Sequence, residues 1–329
     1  MTAQTDIWTG KRTLGKAEVS ALGFGCWAIG GPFADVHGRP LGWGEVDDDE
    51  SIRAVHRALD LGVTFFDTAD VYGAGHSEEV LGRALAGRRD EVVLATKWGN
   101  VFDADTKVLD GSDLSPGYVR RALEASLRRL RTDHIDLYQL HPQPSIEDAM
   151  PLAEACEELV AEGLIRGYAW SVDDPERAAA FAAGEHGVAV QHELSVLHDD
   201  PEMLAVCDRH DLASINRTPL AMGLLGRRTT RRPAAGADIR TDAPDWLRFF
   251  ADGVPTDEWA KRVDAIREIL TSDGRTLAQG ALGWIWARSP RTIPIPGFRN
   301  VAQAEENAGA LALGPLRGEQ MAEIADLLS

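Results

Sequence analysis

Eight short apolar runs spaced by helical stretches constrain this chain more than any other feature of its sequence. The runs are ALGFGC (21–26), VTFFD (63–67), VVLATKW (92–98), IDLYQLH (135–141), IRGYAWS (165–171), VAVQHE (188–193), LASINR (212–217) and TIPIPG (292–297). Between them lie stretches such as ESIRAVHRALDLG (50–62), SEEVLGRALAG (77–87), YVRRALEASLRRLR (118–131), IEDAMPLAEACEELVAEG (146–163) and PERAAAFAAG (175–184). Several end on Gly, the residue favoured just past a helix. Apolar residues recur at helical spacing, as at Val119, Leu123, Leu127 and Leu130. Buried strands alternating with helices predict the α/β class. Eight such units predict a (β/α)8 TIM barrel, a fold of roughly 250 residues before insertions. The 329 residues suit one such barrel domain over 1–329; a doubly wound sheet is the alternative. Two segments break the alternation. WTGKRTLGKAEVSAL (8–22) predicts an N-terminal β-hairpin cap on the barrel floor. Residues 226–256, rich in Arg, Pro, Ala, Gly and Asp, predict a long excursion that serves as a lid or moves freely.

Composition narrows the function classes. The formal net charge of −18 argues against a nucleic-acid or anionic-membrane surface. The one dense basic run, Arg227 to Arg232, reads as a solvated loop. The three cysteines, Cys26, Cys156 and Cys207, are too scattered for a disulfide framework, and no metal-ligand spacing stands out, so no metal is expected. No apolar run approaches the roughly 20 residues of a membrane span, and the first residues lack the apolar core of a signal peptide. A cytoplasmic protein is expected, with its oligomeric state left open.

In a barrel of this kind the active site lies at the C-terminal ends of the strands. The second run ends on Asp67 with Tyr72 five residues on; the third carries Lys97; the fourth ends on His141. A lysine in an apolar strand is costly unless paired. Taken singly, Lys97 or His141 has a structural reading. Neighbouring strands, however, bring Asp67, Tyr72, Lys97 and His141 to one mouth. A lysine cation there stabilises a phenolate and is expected to lower the tyrosine pKa from its ordinary ~10, while Asp67 holds the lysine charged. His141 can bond a substrate oxygen or relay a proton. Such a group suits protonating a carbonyl oxygen as hydride arrives from a nicotinamide, since no side chain supplies hydride.

FFDTADVYGAGHSEEVLGRAL, VVLATKWG, RRALEASLRRLRTDHIDLYQLH, TPLAMGLLG and IPGFRNVAQAEENAGAL together resemble the aldo-keto reductase superfamily, over about residues 12–312. The resemblance implies a barrel enzyme that reduces a small-molecule aldehyde or ketone, a sugar or an acidic carbonyl among the candidates, with NADP(H) or less readily NAD(H). It implies Tyr72 as general acid within the tetrad Asp67, Tyr72, Lys97 and His141. It further implies that Ser171 and Gln191 hold the nicotinamide, and that the pyrophosphate meets the loop of Arg217, Thr218, Pro219, Leu220, Met222, Gly223 and Leu225. The adenosine end falls on Gly297, Arg299, Gln303, Glu306 and Asn307, where Arg299 suits a 2′-phosphate. Two positions depart from the family pattern: Val172 stands where an Asn follows Ser171, with Asp173 as a substitute, and Arg217 stands where an aromatic residue stacks on the nicotinamide. Arg217 either stacks in its place, binds an anionic substrate group or points outward. Trp27, Trp98 and His192 are expected to line the substrate pocket, with Trp43 beside them, whereas Trp284 and Trp286 are expected in the core. A barrel hydrolase with paired carboxylates lacks its second acid. A non-catalytic NADP(H)-binding regulatory subunit is the remaining alternative.

Overall fold

Strand pairing follows chain order around a single sheet. In the computed structural model, which describes residues 8–226, 236–244 and 246–329, the strands are β1 (Gly23–Gly25), β2 (Phe65–Asp67), β3 (Val93–Trp98), β4 (Leu137–Leu140), β5 (Tyr168–Ser171), β6 (Gly187–Glu193), β7 (Ala213–Arg217) and β8 (Thr292–Pro294). All neighbours are parallel. The sheet closes where Gly25 bridges Gly297 and its N–H donates to the carbonyl of Pro296 at 3.1 Å. This is the expected (β/α)8 barrel.

Period-two alternation sorts the side chains. Inward-facing Phe65, Ala95, Leu137, Ala169, Ala189, Ala213, Ile215, Ile293 and Ile295 fill the barrel centre, and Leu14 and Val19 of the hairpin close it from below. The hairpin, Lys11–Leu14 against Ala17–Ser20, turns at Gly15 in the left-handed region and lies over Val188. Outward-facing Phe66, Leu94, Trp98, Tyr138, Leu140, Trp170 and Val190 pack into the layer beneath the helices.

The helices are α1 (Asp48–Asp60), α2 (His76–Ala84), α3 (Pro116–Leu130), α4 (Ile146–Ala161), α5 (Pro175–Phe181), α6 (Pro201–His210), α7 (Asp257–Leu270), α8 (Leu277–Arg288), α9 (Val301–Leu313) and α10 (Gly318–Leu328). Six of the starts are marked by side-chain caps, from Asp47, Ser145, Asp174, Asp200, Thr276 and Asn300, each accepting an N–H of its first turn. The residue after the cap of α1 and α4 is Gly62 and Gly163, both at positive φ. Trp284 and Trp286 are buried as expected, but α8 is not amphipathic: it is buried nearly all round, enclosed by β8, α7, α9 and α10.

Above the strand ends, Ala34–Asp35 pairs with Val108–Ser112, which pairs with Asn100–Asp103. This small sheet ties the loop after β1 to the loop after β3. The excursion after β7 is likewise anchored in its described part: Ile239 N–H donates to Gly42 O at 2.7 Å, and Phe250–Ala251 pairs with Val254–Pro255. The run Arg227 to Arg232 lies outside the described residues. Among the described residues, no helix is long and apolar enough to cross a membrane, and no His, Cys, Asp and Glu cluster could hold a metal ion.

Candidate active site

The interior of the barrel changes character one layer below its mouth. Continuing the inward register of Phe65, Ala95, Leu137 and Ala189 brings Asp67, Lys97, Gln139 and Gln191 to one level. Lys97 and Asp67 are wholly buried, and all three ammonium donors are used. Lys97 Nζ donates to Asp67 Oδ2 at 2.6 Å, to the Thr68 carbonyl at 2.9 Å and to Tyr72 Oη at 3.2 Å. The other carboxylate oxygen, Asp67 Oδ1, accepts from Gln139 Nε2 at 2.7 Å and Gln191 Nε2 at 2.8 Å. A buried ion pair satisfied on every side is the arrangement that offsets its desolvation.

Tyr72 is placed by its turn. Gly73 sits at φ +63°, and a Cβ there would come within 1.8 Å of the Gly30 carbonyl, so only glycine allows the two backbones to touch. The phenol therefore stands over Lys97, whose Nζ lies 4.9 Å from the ring centroid. His141 faces it edge-on at 5.9 Å, and Trp27 stacks on its other side at 5.8 Å.

Electrostatics give each group a definite form. Burial alone would depress the Lys97 ammonium, but Asp67 and then Tyr72 outweigh it, and its pKa is raised. Burial raises the Tyr72 phenol; Lys97 opposes this without overcoming it. The lowered tyrosine pKa expected from sequence is thus corrected: desolvation outweighs the lysine, and the phenol keeps its proton at neutrality. Burial, then Lys97, then Arg217 lower His141 to about 3, so its imidazole is neutral.

These groups open into a cavity of about 640 Å³, within the range of small-molecule sites. Asp67, Tyr72, His141, Ser171, Gln191 and Arg217 line it, followed by Thr218, Pro219, Leu220, Met222 and Gly223, and at the far side by Gly297, Arg299 and Gln303. Thr218, Ala221 and Met222 hold positive φ, and the loop is tightly turned, with the Ala221, Gly223 and Leu224 N–H groups donating back to the Thr218, Leu220 and Ala221 carbonyls. The Arg299 guanidinium donates to the carbonyls of Trp43, at 3.0 Å, and Glu45, and pairs with no carboxylate among the described residues. Among the buried polar atoms that have no partner, His141 Nδ1 and Trp43 Nε1 belong to residues lining this cavity. A neutral imidazole, an arginine that pairs with no carboxylate, and the unpartnered His141 Nδ1 and Trp43 Nε1 along one cleft fit a phosphate-bearing dinucleotide.

Several expected positions fall elsewhere. Trp98 follows inward-facing Lys97 in the strand, so its ring points outward and stacks on Tyr138 in the helix layer. His192 follows inward-facing Gln191 and likewise points outward, 2.8 Å from Ser214 Oγ. Neither lines the cavity. Leu225 packs in the core beneath its loop. Glu306 and Asn307 lie off the cavity wall, Asn307 donating to the Gly297 carbonyl at 3.3 Å. Val172 is a core residue. Asp173 does line the cavity and pairs with Arg217.

Sequence reasoning passed over Gln139, although its register with Leu137 marks it as inward. It also missed Glu193, a strand-end carboxylate bound to Arg248 at 2.8 Å. The apolar part of the wall, Phe33, Leu41, Leu109, Ile239 and Trp246 beside Trp27 and Trp43, comes from the three loops above the barrel. No local period announced them.

The model of the Aldo/keto reductase family matches residues 21–329. The aldo-keto reductase yakc [NADP(+)] of Schizosaccharomyces pombe is 31% identical over 310 residues, covering 91% of this chain and 86% of that protein. Among solved structures, a holo-form aldo-keto reductase of Bacillus halodurans is 30% identical with a TM-score of 0.77, covering 96% of this chain and 95% of that one. An aldo/keto reductase of Klebsiella pneumoniae in complex with NADP and acetate is 28% identical with a TM-score of 0.70, covering 97% of this chain and 95% of that one.

Proposed function

The chain belongs to the aldo/keto reductase family, and from that premise we propose that it uses NADP(H) to reduce an aldehyde or ketone to an alcohol, with Tyr72 as the proton donor. The observation that carries this reading is Lys97 Nζ held between Asp67 Oδ2 at 2.6 Å and Tyr72 Oη at 3.2 Å, at the floor of the one cavity that the phenol and His141 share. When bound, NADPH supplies the hydride. Ser171 and Gln191 would hold its nicotinamide, the loop of Thr218 to Gly223 its pyrophosphate and Arg299 its 2′-phosphate. That the Klebsiella relative was solved with NADP supports this choice.

The substrate oxygen binds between Tyr72 Oη and the neutral imidazole of His141, which adds a hydrogen bond without a competing charge. As the carbonyl carbon gains hydride, its oxygen becomes an alkoxide and takes the phenolic proton. Lys97 stabilises the phenolate left behind, and Asp67 keeps that lysine charged. The stacked ring of Trp27 flanks one face of the phenol ring. The three cysteines are free and buried, which suits a reducing compartment, and we place the enzyme in the cytoplasm. Cell fractionation checks the placement, and recovery with a membrane fraction would contradict it.

Mixing the protein with NADPH and a neutral aldehyde such as nitrobenzaldehyde tests the reaction. Loss of the reduced-nicotinamide absorbance with matching alcohol formation is expected. Tight NADPH binding with no turnover across a panel of aldehydes, ketones and sugars would instead make the chain a non-catalytic nucleotide-binding subunit.

A further inference from the structure

The tetrad occupies the mouth above β2, β3 and β4. The remaining polar wall at that level belongs to the ends of β5, β6 and β7, where Ser171, Gln191 and Arg217 face the cavity. A nicotinamide that delivers hydride to a carbonyl held at Tyr72 must lie against this second sector. Among the side chains borne by those three strand ends, Arg217 offers the one guanidinium face. It is not free: Asp173 Oδ2 pairs with it, while Asp173 Oδ1 accepts the Glu193 N–H at 2.8 Å. The pair therefore bridges from the segment after β5 to the end of β7, passing over β6, and is anchored to the β6 backbone midway. Both side chains keep a solvent-accessible face, 32% for Arg217 and 48% for Asp173.

We propose that Asp173 and Arg217 form one ion-paired platform for the nicotinamide ring, in which Asp173 is a positioning residue that holds the guanidinium flat and cancels its charge. This rests on the NADP(H) reading above and sharpens it in two ways. A guanidinium whose charge is cancelled can support the cationic oxidised ring as well as the neutral reduced one, so the enzyme is not locked to one form of the cofactor. A guanidinium held by Asp173 is also not available to a substrate carboxylate, and Glu193 and Arg248 neutralise each other on the same wall. Arg217 and Arg248 are thus both committed to carboxylates beside the tetrad, and the enzyme selects neutral carbonyls over acidic ones.

The test is the ratio of dissociation constants for NADP+ and NADPH, read by quenching of tryptophan fluorescence without turnover. Asp173→Asn keeps the oxygen that accepts the Glu193 N–H but uncovers the guanidinium charge. It should raise the NADP+ to NADPH ratio by about threefold or more, the solvent-screened effect of one uncovered charge near a cationic ring. Adding Arg217→Gln to Asp173→Asn should return the ratio towards that of the unmodified protein, and Asp173→Glu should hold it there. With 4-carboxybenzaldehyde against its methyl ester, Asp173→Asn should also gain relative kcat/KM for the acid. An unchanged ratio in Asp173→Asn, or a double variant whose ratio stays as high as that of Asp173→Asn alone, would overturn the platform while leaving the functional reading intact. An unmodified protein that binds neither cofactor would overturn that reading, and the platform with it.

Discussion

Three protonation states carry the account at the scale of single residues: a charged Lys97, a protonated Tyr72 and a neutral His141. They fix the pH dependence of reduction. Because burial holds the Tyr72 phenol above its ordinary value, the donor form persists through neutrality, and kcat/KM should fall only above pH ~10. Because His141 titrates at about 3, it bears no proton across the working range and should add no limb near pH ~6.5. A kcat/KM profile with a limb at that pH that vanishes in His141→Gln would contradict the assignment. Lys97→Met removes the cation and leaves the buried Asp67 carboxylate facing two amides. Turnover should fall by roughly 100-fold or more, whereas NADPH affinity, measured by fluorescence, should change little. The identities of these residues were legible in the sequence because each ends or closely follows an apolar run on adjacent strands. The direction of the Tyr72 shift was not, since it turns on how completely the phenol is buried, and pairing logic alone favours the lysine. Trp98 and His192 were misplaced for a simpler reason: each follows an inward residue in its strand, and strict alternation sends it outward.

Elements succeed or fail by how they hold the tetrad's frame. Behind β3, the Glu78 carboxylate from α2 accepts from Thr96 Oγ1 at 2.5 Å and from Arg129 Nε of α3 at 2.7 Å. Glu78 is fully buried, so Arg129→Met would leave its charge uncompensated. Stability should drop by about 3 kcal/mol, read from chemical denaturation; a loss within experimental scatter would show the pair to be dispensable. The turn that carries Tyr72 depends on close backbone approach, and Gly73→Ala meets the Gly30 carbonyl at 1.8 Å in a left-handed conformation. It should lower both melting temperature and kcat, because the phenol moves with its turn. The barrel strands and the helices α1 to α5 were readable from local periods, and so was the hairpin under the barrel. The three-stranded sheet joining the loops after β1 and β3 was not. Its pairing of Ala34 with Val108 depends on chain closure over a long separation, which leaves no periodic trace.

At the scale of the molecule, the cleft joins the barrel mouth to α9 and to both the β1 and β7 loops, so cofactor binding should stabilise the whole fold. NADPH at about 100 times its dissociation constant should contribute about 2.7 kcal/mol, seen as a rise in melting temperature. The rise should weaken with added salt if, as proposed, Arg299 holds the 2′-phosphate. The barrel topology was legible because eight strand–helix units leave few other ways to bury their faces. Most of the substrate wall was not, because Leu109, Ile239 and Trp246 reach it from loops that meet only in three dimensions. The central claim, that Tyr72 gives the proton, is tested most directly by Tyr72→Phe assayed beside the unmodified protein for both aldehyde reduction and NADPH binding. The account predicts turnover reduced by roughly 100-fold or more with the dissociation constant for NADPH nearly unchanged. Turnover that survives the loss of the hydroxyl would contradict it.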